Sequence, residues 1–214
     1  MKYYCVKFAE KGYVTATASY RLTQEAPFPA AVEDVKCAVR WLRANASAYQ
    51  IDPNRIAVSG NSAGGHLALM VGYSDDPSLE GAGGNPGVSS RVCAAVDFYG
   101  LADLTSESVR KHKLITDFLG GKAFEEAPEV FKQASPLCHL TKDDPPTLIF
   151  QGTLDNLVPV AQSDALAEKL KELGIDCVYE RYEGWPHAMD AAETVNRRCL
   201  YQMEQFFRKH VSNE

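Results

Sequence analysis

Residues Val58-Ser59-Gly60-Asn61-Ser62-Ala63-Gly64-Gly65-His66 constrain the fold of this chain more than any other stretch. They spell G-x-S-x-G between an apolar run of strand character, Ile56-Ala57-Val58, and a helix-like run, His66-Leu67-Ala68-Leu69-Met70-Val71. A turn that passes from strand straight into helix pushes the serine hydroxyl out at the end of a sheet, and small neighbours let backbone pass close by. The helix that starts at the serine offers unpaired N–H groups and a positive dipole end to a developing anion. Ser62 is therefore the candidate nucleophile.

Strand and helix signals alternate along the chain. Residues 13–18 read as a strand, and after Pro27-Phe28-Pro29 the apolar Val35, Ala38, Val39 and Leu42 recur at helical spacing. A strand at 55–59 and the helix after Ser62 follow, and a glycine-rich loop at 81–87 leads to 92–98, a nearly continuous apolar strand of the kind buried on both faces. Residues 100–145 are irregular, with short helical hints at 113–119 and 128–133, and read as a small cap. Strands at 147–150 and 177–183 then alternate with helices at 160–173, closed by Gly174, and at the C-terminal end, where Ala192, Val195, Cys199, Met203 and Phe206 share one face. This order predicts an α/β fold in one domain, with a mostly parallel central sheet and helices on both faces.

The 214 residues suffice for one sizeable core, and a net charge of -6 without a dense Lys/Arg stripe argues against a nucleic-acid partner. No run approaches a membrane span and the first residues lack a signal-peptide core, so a soluble chain is expected and its compartment, cytoplasmic or secreted, stays open. The six cysteines form no C-x-x-C pair and most of them read as small buried hydrophobes, so neither a metal nor a cofactor is expected. A homo-oligomer is compatible with the sequence.

A serine nucleophile needs a base and an acid that orients it, and parallel sheets present such groups on loops at the carboxyl ends of strands. Gln151-Gly152-Thr153-Leu154-Asp155-Asn156-Leu157-Val158-Pro159 begins where a strand stops and offers Asp155; Asp97, Asp103 and Asp190 are its rivals. Glu183-Gly184-Trp185-Pro186-His187-Ala188 follows the last strand and offers His187, with His139 as runner-up. The order Ser, Asp, His along the chain suits this architecture.

Together with Tyr20-Arg21-Leu22, residues 27–35, Asp52-Pro53-Asn54-Arg55-Ile56 and Ser135-Pro136, these stretches resemble the α/β-hydrolase superfamily, in the branch that holds hormone-sensitive-lipase-like enzymes and bacterial feruloyl and acetyl xylan esterases. The resemblance covers nearly the whole chain. It implies Ser62 as nucleophile, His187 as general base and then acid, Asp155 as its orienting partner, and the Ala63 backbone N–H as an oxyanion donor. Arg21 and Asp34 match bracing positions, and Asn61 stands where lipase-like relatives often carry Asp. The family's His-Gly-Gly oxyanion loop has no counterpart here, so the chain is expected to start after that loop and its strand. In the family that strand lies between those expected around Ala16 and Val58.

Tyr99, Leu101, Phe118, Leu119, Phe131 and Trp185 are candidates to line an open pocket suited to short acyl chains. The expected reaction is hydrolysis of a small carboxylic ester, with plant cell-wall acetyl or feruloyl esters suggested by the resemblance. Two alternatives stand beside it: an N-terminally truncated fragment with weak or no catalysis, and a serine peptidase of the prolyl-oligopeptidase type.

Overall fold

The computed structural model describes residues 1–212. Its helices and strands run α1 (Lys2–Ala9), α2 (Ala30–Ala44), β1 (Ala57–Asn61), α3 (Ala63–Tyr73), β2 (Ala94–Phe98), α4 (Lys113–Phe118), α5 (Pro128–Gln133), α6 (Pro136–His139), β3 (Thr147–Gly152), α7 (Val160–Glu172), β4 (Cys177–Tyr182) and α8 (Glu193–His210). The four strands form one parallel sheet in the order β1-β2-β3-β4. Asn61 pairs with Phe98, Phe98 with Phe150, and Gly152 with Tyr182, so the carboxyl ends of all four strands meet along one rim.

Strand periodicity sorts the core. Every residue of β2 and β3 is buried, as a parallel strand covered on both faces requires. Ala94, Val96, Phe98, Leu148 and Phe150 pack one face against Tyr4 and Phe8 of α1 and against Val195, Cys199, Met203, Phe206 and Phe207 of α8. Ile149 faces the other way, onto Leu69 and Tyr73 of α3 and Leu166 and Leu170 of α7. Helix α2 covers α3 through Ala31, Val32, Leu67 and Met70. Among the described residues no helix is long and apolar enough to cross a membrane. All six cysteines are free thiols, and Cys138 is exposed.

The strand expected at 13–18 does not form. This stretch joins no ladder, and β1 pairs only with β2 among the described residues. A strand exists by exchanging backbone hydrogen bonds with a neighbour. Here the Ala16 carbonyl accepts from the Cys5 thiol, Thr15 donates its hydroxyl to the Cys5 carbonyl, and Val14 is 53% exposed. The stretch is instead held at its two ends. Tyr13 packs its ring on Phe8 and Phe207, while Arg21 grips Asp34 of α2 through its backbone N–H and guanidinium. A depression of about 620 Å³, lined by Gly12, Tyr13, Val14, Gln50, Ile51 and Arg55 among others, lies beside it.

The glycine-rich loop at 81–87 is fastened to α2. Buried Lys36 and Arg40 of α2 both bind Glu80, and Arg40 also donates to the Gly83 carbonyl. Residues 100–145 carry an apolar cluster of their own: Leu104, Val109, Ile115, Leu119, Phe131 and Ala134. Gln162 of α7 pins this segment by accepting from the Ala102 and Asp103 amides.

This division of burial makes a direct comparison. Leu148→Ala, at a fully buried site of the sheet, is expected to cost about 2–5 kcal/mol in urea unfolding. Val14→Ala, in the stretch that forms no strand, is expected to stay within about 0.5 kcal/mol of the parent.

Candidate active site

Strand β1 ends at Asn61, and Ser62 turns the chain with φ 52° and ψ -117°, a left-handed backbone that a non-glycine residue adopts only at a cost. Its N–H donates to the Phe98 carbonyl at 2.8 Å, extending the ladder to β2 by one residue, and its own carbonyl accepts from His66 at 2.9 Å. Helix α3 then begins at Ala63, whose N–H lies in the first turn, where no earlier helical carbonyl exists to accept it. The glycines divide by what surrounds them. A Cβ on Gly60 would sit 1.9 Å from the Gly64 carbonyl oxygen, and one on Gly65 would sit 2.4 Å from Asp97 Oδ1, whereas Gly64 faces open space.

The loops after β3 and β4 are stapled together. Thr153 donates its amide to the Tyr182 carbonyl, Leu154 to the Trp185 carbonyl, and Gly184 to the Thr153 hydroxyl. Gly152 permits this contact, since a Cβ there would meet the Trp185 carbonyl oxygen at 2.3 Å. Ala188, in the left-handed region at φ 58°, turns the chain immediately after His187.

The staple brings three side chains together across the rim. His187 Nδ1 lies 2.6 Å from Asp155 Oδ2, and His187 Nε2 lies 2.9 Å from Ser62 Oγ. Asp155 Oδ1 accepts from the Leu157 and Val158 amides, and Oδ2 also accepts from Gln151 Nε2. Burial favours protonation of the Asp155 carboxyl, but the hydrogen bonds from His187, Val158 and Leu157 outweigh it and hold the group below the usual carboxylate range. An ionised carboxylate only accepts, so Nδ1 carries the imidazole proton and Nε2 is left to accept from the Ser62 hydroxyl.

The rival residues are engaged elsewhere. Asp103 accepts from the Thr105 amide and hydroxyl, closing a turn, and His139 bonds the Gln133 carbonyl. Asp190 accepts from Tyr4, Asn61 and Tyr99 rather than from an imidazole. Asp97 is fully buried beneath the elbow, where it accepts from the Gly100 amide, and burial pushes its pKa up to about 7. His66 is buried one turn along α3, bonded through Nδ1 to the Leu101 carbonyl, and burial lowers its pKa to about 4.

Of the expected lining residues, Tyr99 packs against the imidazole, with its ring centroid 4.6 Å from that of His187. Trp185 and Leu101 are half-buried, and Phe118 packs its ring on Phe28 and His66. Leu119 and Phe131, however, are 2% and 0% exposed inside the apolar cluster of the 100–145 segment, so they hold that segment together and do not line a pocket. Sequence reasoning offered Tyr99 only as a pocket wall and missed its polar contacts. Its positive φ depends on backbone that is set by the fold.

A parallel sheet with helices on both faces and a serine on a sharp turn between its first strand and the next helix defines an α/β-hydrolase. The match of residues 1–170 to the BD-FAE family model places the chain more narrowly: it belongs to the BD-FAE family. Esterase LipQ of Mycobacterium tuberculosis is 34% identical over 91% of this chain and 47% of its own length. The probable carboxylic ester hydrolase LipM of the same organism is 30% identical over 96% of this chain and 50% of its own. The chain thus spans about half the length of the curated relatives it matches. Thermogutta terrifontis esterase 2 superposes with a TM-score of 0.82 at 30% identity, over 96% of this chain and 75% of that one. A truncated carbohydrate esterase from gut microbiota gives a TM-score of 0.79 at 31% identity, over 89% and 72%.

Two expectations come from this geometry. Gly65→Ala should cost at least about 1–3 kcal/mol in unfolding free energy, because backbone and the Asp97 carboxyl must move, while Gly64→Ala should be far milder. The buried pair behind the elbow should set a pH signature. His66, neutral in the fold, binds fewer protons than it does unfolded between pH 6.5 and about 4, so its share of stability falls as pH falls. Asp97, protonated in the fold, binds more between about pH 7 and 3.8, so its share rises as pH falls. The two oppose each other across this window. Asp97→Asn leaves His66 unopposed, and urea unfolding should show the variant losing up to about 3 kcal/mol relative to the parent between pH 6.5 and pH 4.

Proposed function

We propose that this chain is a serine carboxylic-ester hydrolase that works through an acyl-enzyme, with Ser62 as nucleophile, His187 as general base and acid, and Asp155 as the group that orients His187. One observation carries the reading: a single imidazole bridges the Ser62 hydroxyl at 2.9 Å and a buried carboxylate at 2.6 Å. His187 Nε2 takes the hydroxyl proton as Ser62 Oγ attacks the ester carbonyl. The Asp155 carboxylate stabilises the imidazolium that results. The carbonyl oxygen becomes an oxyanion, and the Ala63 N–H at the start of α3 donates to it, with the helix dipole adding in the same sense. The imidazolium then protonates the leaving alcohol. Water, deprotonated by the regenerated base, cleaves the acyl-enzyme and frees the acid.

The names of the relatives support ester chemistry, since LipQ and Thermogutta terrifontis esterase 2 are both esterases. Thermogutta terrifontis esterase 2 has been solved with propionate bound and in forms phosphonylated by sarin and by cyclosarin. We take short acyl esters as the substrate class on that basis, and organophosphonates as covalent probes. The gut carbohydrate esterase supports an acylated sugar as the alcohol side.

The reading is tested with p-nitrophenyl acetate. The parent should turn it over, Ser62→Ala should reduce hydrolysis to background, and Asp155→Asn should lower kcat by about 10³- to 10⁴-fold through the wrong imidazole tautomer. A fluorophosphonate should label the parent once, at Ser62. Turnover that persists in Ser62→Ala would refute the assignment, and absence of both turnover and labelling in the parent would leave a non-catalytic fold.

A further inference from the structure

The segments that carry Ser62 and His187 are joined a second time, below the reacting atoms, by a cluster that the proposed reaction does not use. Asn61, directly before Ser62, donates from Nδ2 to the Tyr99 hydroxyl at 2.8 Å and to Asp190 Oδ2 at 3.1 Å. The Tyr99 hydroxyl in turn donates to Asp190 Oδ1. Asp190 lies three residues beyond His187, in the short helical turn Met189–Ala191. Two further donors come from outside the rim: Tyr4 of α1 gives its hydroxyl to Asp190 Oδ2 at 3.0 Å, and Asn196 of α8 binds the Tyr4 hydroxyl and the Asp190 carbonyl.

Tyr99 occupies the centre of this cluster. It is 3% exposed, it sits at the end of β2 with φ 46°, and its ring meets the His187 ring edge-on at 4.6 Å. Burial, and next the hydrogen bond to Asp190, push its hydroxyl well above the usual phenol range, so it stays a donor. A buried aromatic that touches the imidazole with its ring and ties down both neighbouring loops with its hydroxyl can restrict where that imidazole sits. The donors and acceptors also account for Asn at position 61. A carboxylate there would face Asp190 at hydrogen-bond distance with no proton between them, and like charges so close cannot both stay ionised without penalty.

We infer that Asn61, Tyr99 and Asp190 form a positioning brace that holds the His187 imidazole in line between Ser62 and Asp155. The inference rests on the proposed hydrolase reading for its kinetic consequence, though the brace itself is a statement about the imidazole. None of the three residues touches the reacting atoms in this role. Their effect is on kcat, because a displaced imidazole spoils proton transfer without altering how the ester docks.

The test exploits the polarity of the cluster. Tyr99→Phe keeps the ring and removes both hydroxyl bonds; Asn61→Asp places two carboxylates together; Asp190→Asn turns one of the two acceptor oxygens into a donor, which then faces the donors of the cluster. Each should lower kcat for p-nitrophenyl acetate by about 10- to 100-fold with KM nearly unchanged. The double variant Asn61→Asp/Asp190→Asn exchanges donor and acceptor, and should recover most of the loss. Alongside the kinetics, the His187 ring resonances are followed by NMR in each folded variant. They should shift in the single variants and return towards the parent in the double. The brace is overturned by a parent-like kcat in Tyr99→Phe, or by a double variant no better than the worse single. If the parent itself hydrolyses nothing, the hydrolase reading fails while the NMR arm still decides: shifted and restored His187 signals uphold the brace, and unmoved signals refute it.

Discussion

Everything at the rim depends on how closely backbone is allowed to approach backbone around Ser62. The turn stays in its left-handed conformation because Gly60 lies against the Gly64 carbonyl and Gly65 against Asp97 and the Phe98 carbonyl, with the Ser62 amide bonded across to β2. Such strain persists only where its surroundings over-determine it. Here the surroundings are the two fully buried strands, β2 and β3, which fix the height at which Ser62, Tyr99 and the Asp155 loop emerge. A shift of one residue in that register would send every side chain to the other face.

The electrostatics follow from the same packing. Directly beneath the elbow the fold buries a carboxyl and an imidazole that are both neutral near pH 5, each held by a backbone group, Asp97 by the Gly100 amide and His66 by the Leu101 carbonyl. On the rim it does the reverse, supplying Asp155 with amide donors until its charged form is favoured. Two buried aspartates thus differ in charge because one meets a single donor and the other several. The Asp190 cluster adds a third arrangement, in which a carboxylate collects hydroxyl and amide donors from three segments of the chain, while Asn196 binds its backbone carbonyl.

Much of the architecture can be read from local pattern. The runs at 92–98 and 147–150 have too many consecutive apolar residues for a half-exposed strand, and both are buried on both faces. The helices at 160–173 and beyond Ala192 carry apolar stripes at helical spacing and lie where those stripes predict. The stretch at 13–18 has equally good strand propensity and yet forms none. Propensity describes one chain segment, whereas a strand needs a partner for its backbone, and no local signal reports whether the partner is present. Leu119 and Phe131 misled for a related reason: an aromatic or leucine in an irregular segment looks the same whether it faces a pocket or the segment's own interior.

Within the site, residue type and chain order were sufficient to single out Ser62, Asp155 and His187 as candidates, because each stands on a glycine- or proline-shaped loop at the end of a strand. Sequence alone determined the α/β alternation and offered those three positions as candidates, with rival acids and a rival histidine beside them. Tertiary structure decided which acid faces the imidazole, that Asp190 instead ties Asn61 to Tyr99, and that the edge beside β1 carries no further strand among the described residues. The division has a physical cause. Periodicity and turn chemistry are properties of neighbours along the chain, while a hydrogen bond between residues 125 apart, such as that from Ser62 to His187, exists only once the sheet has set their separation.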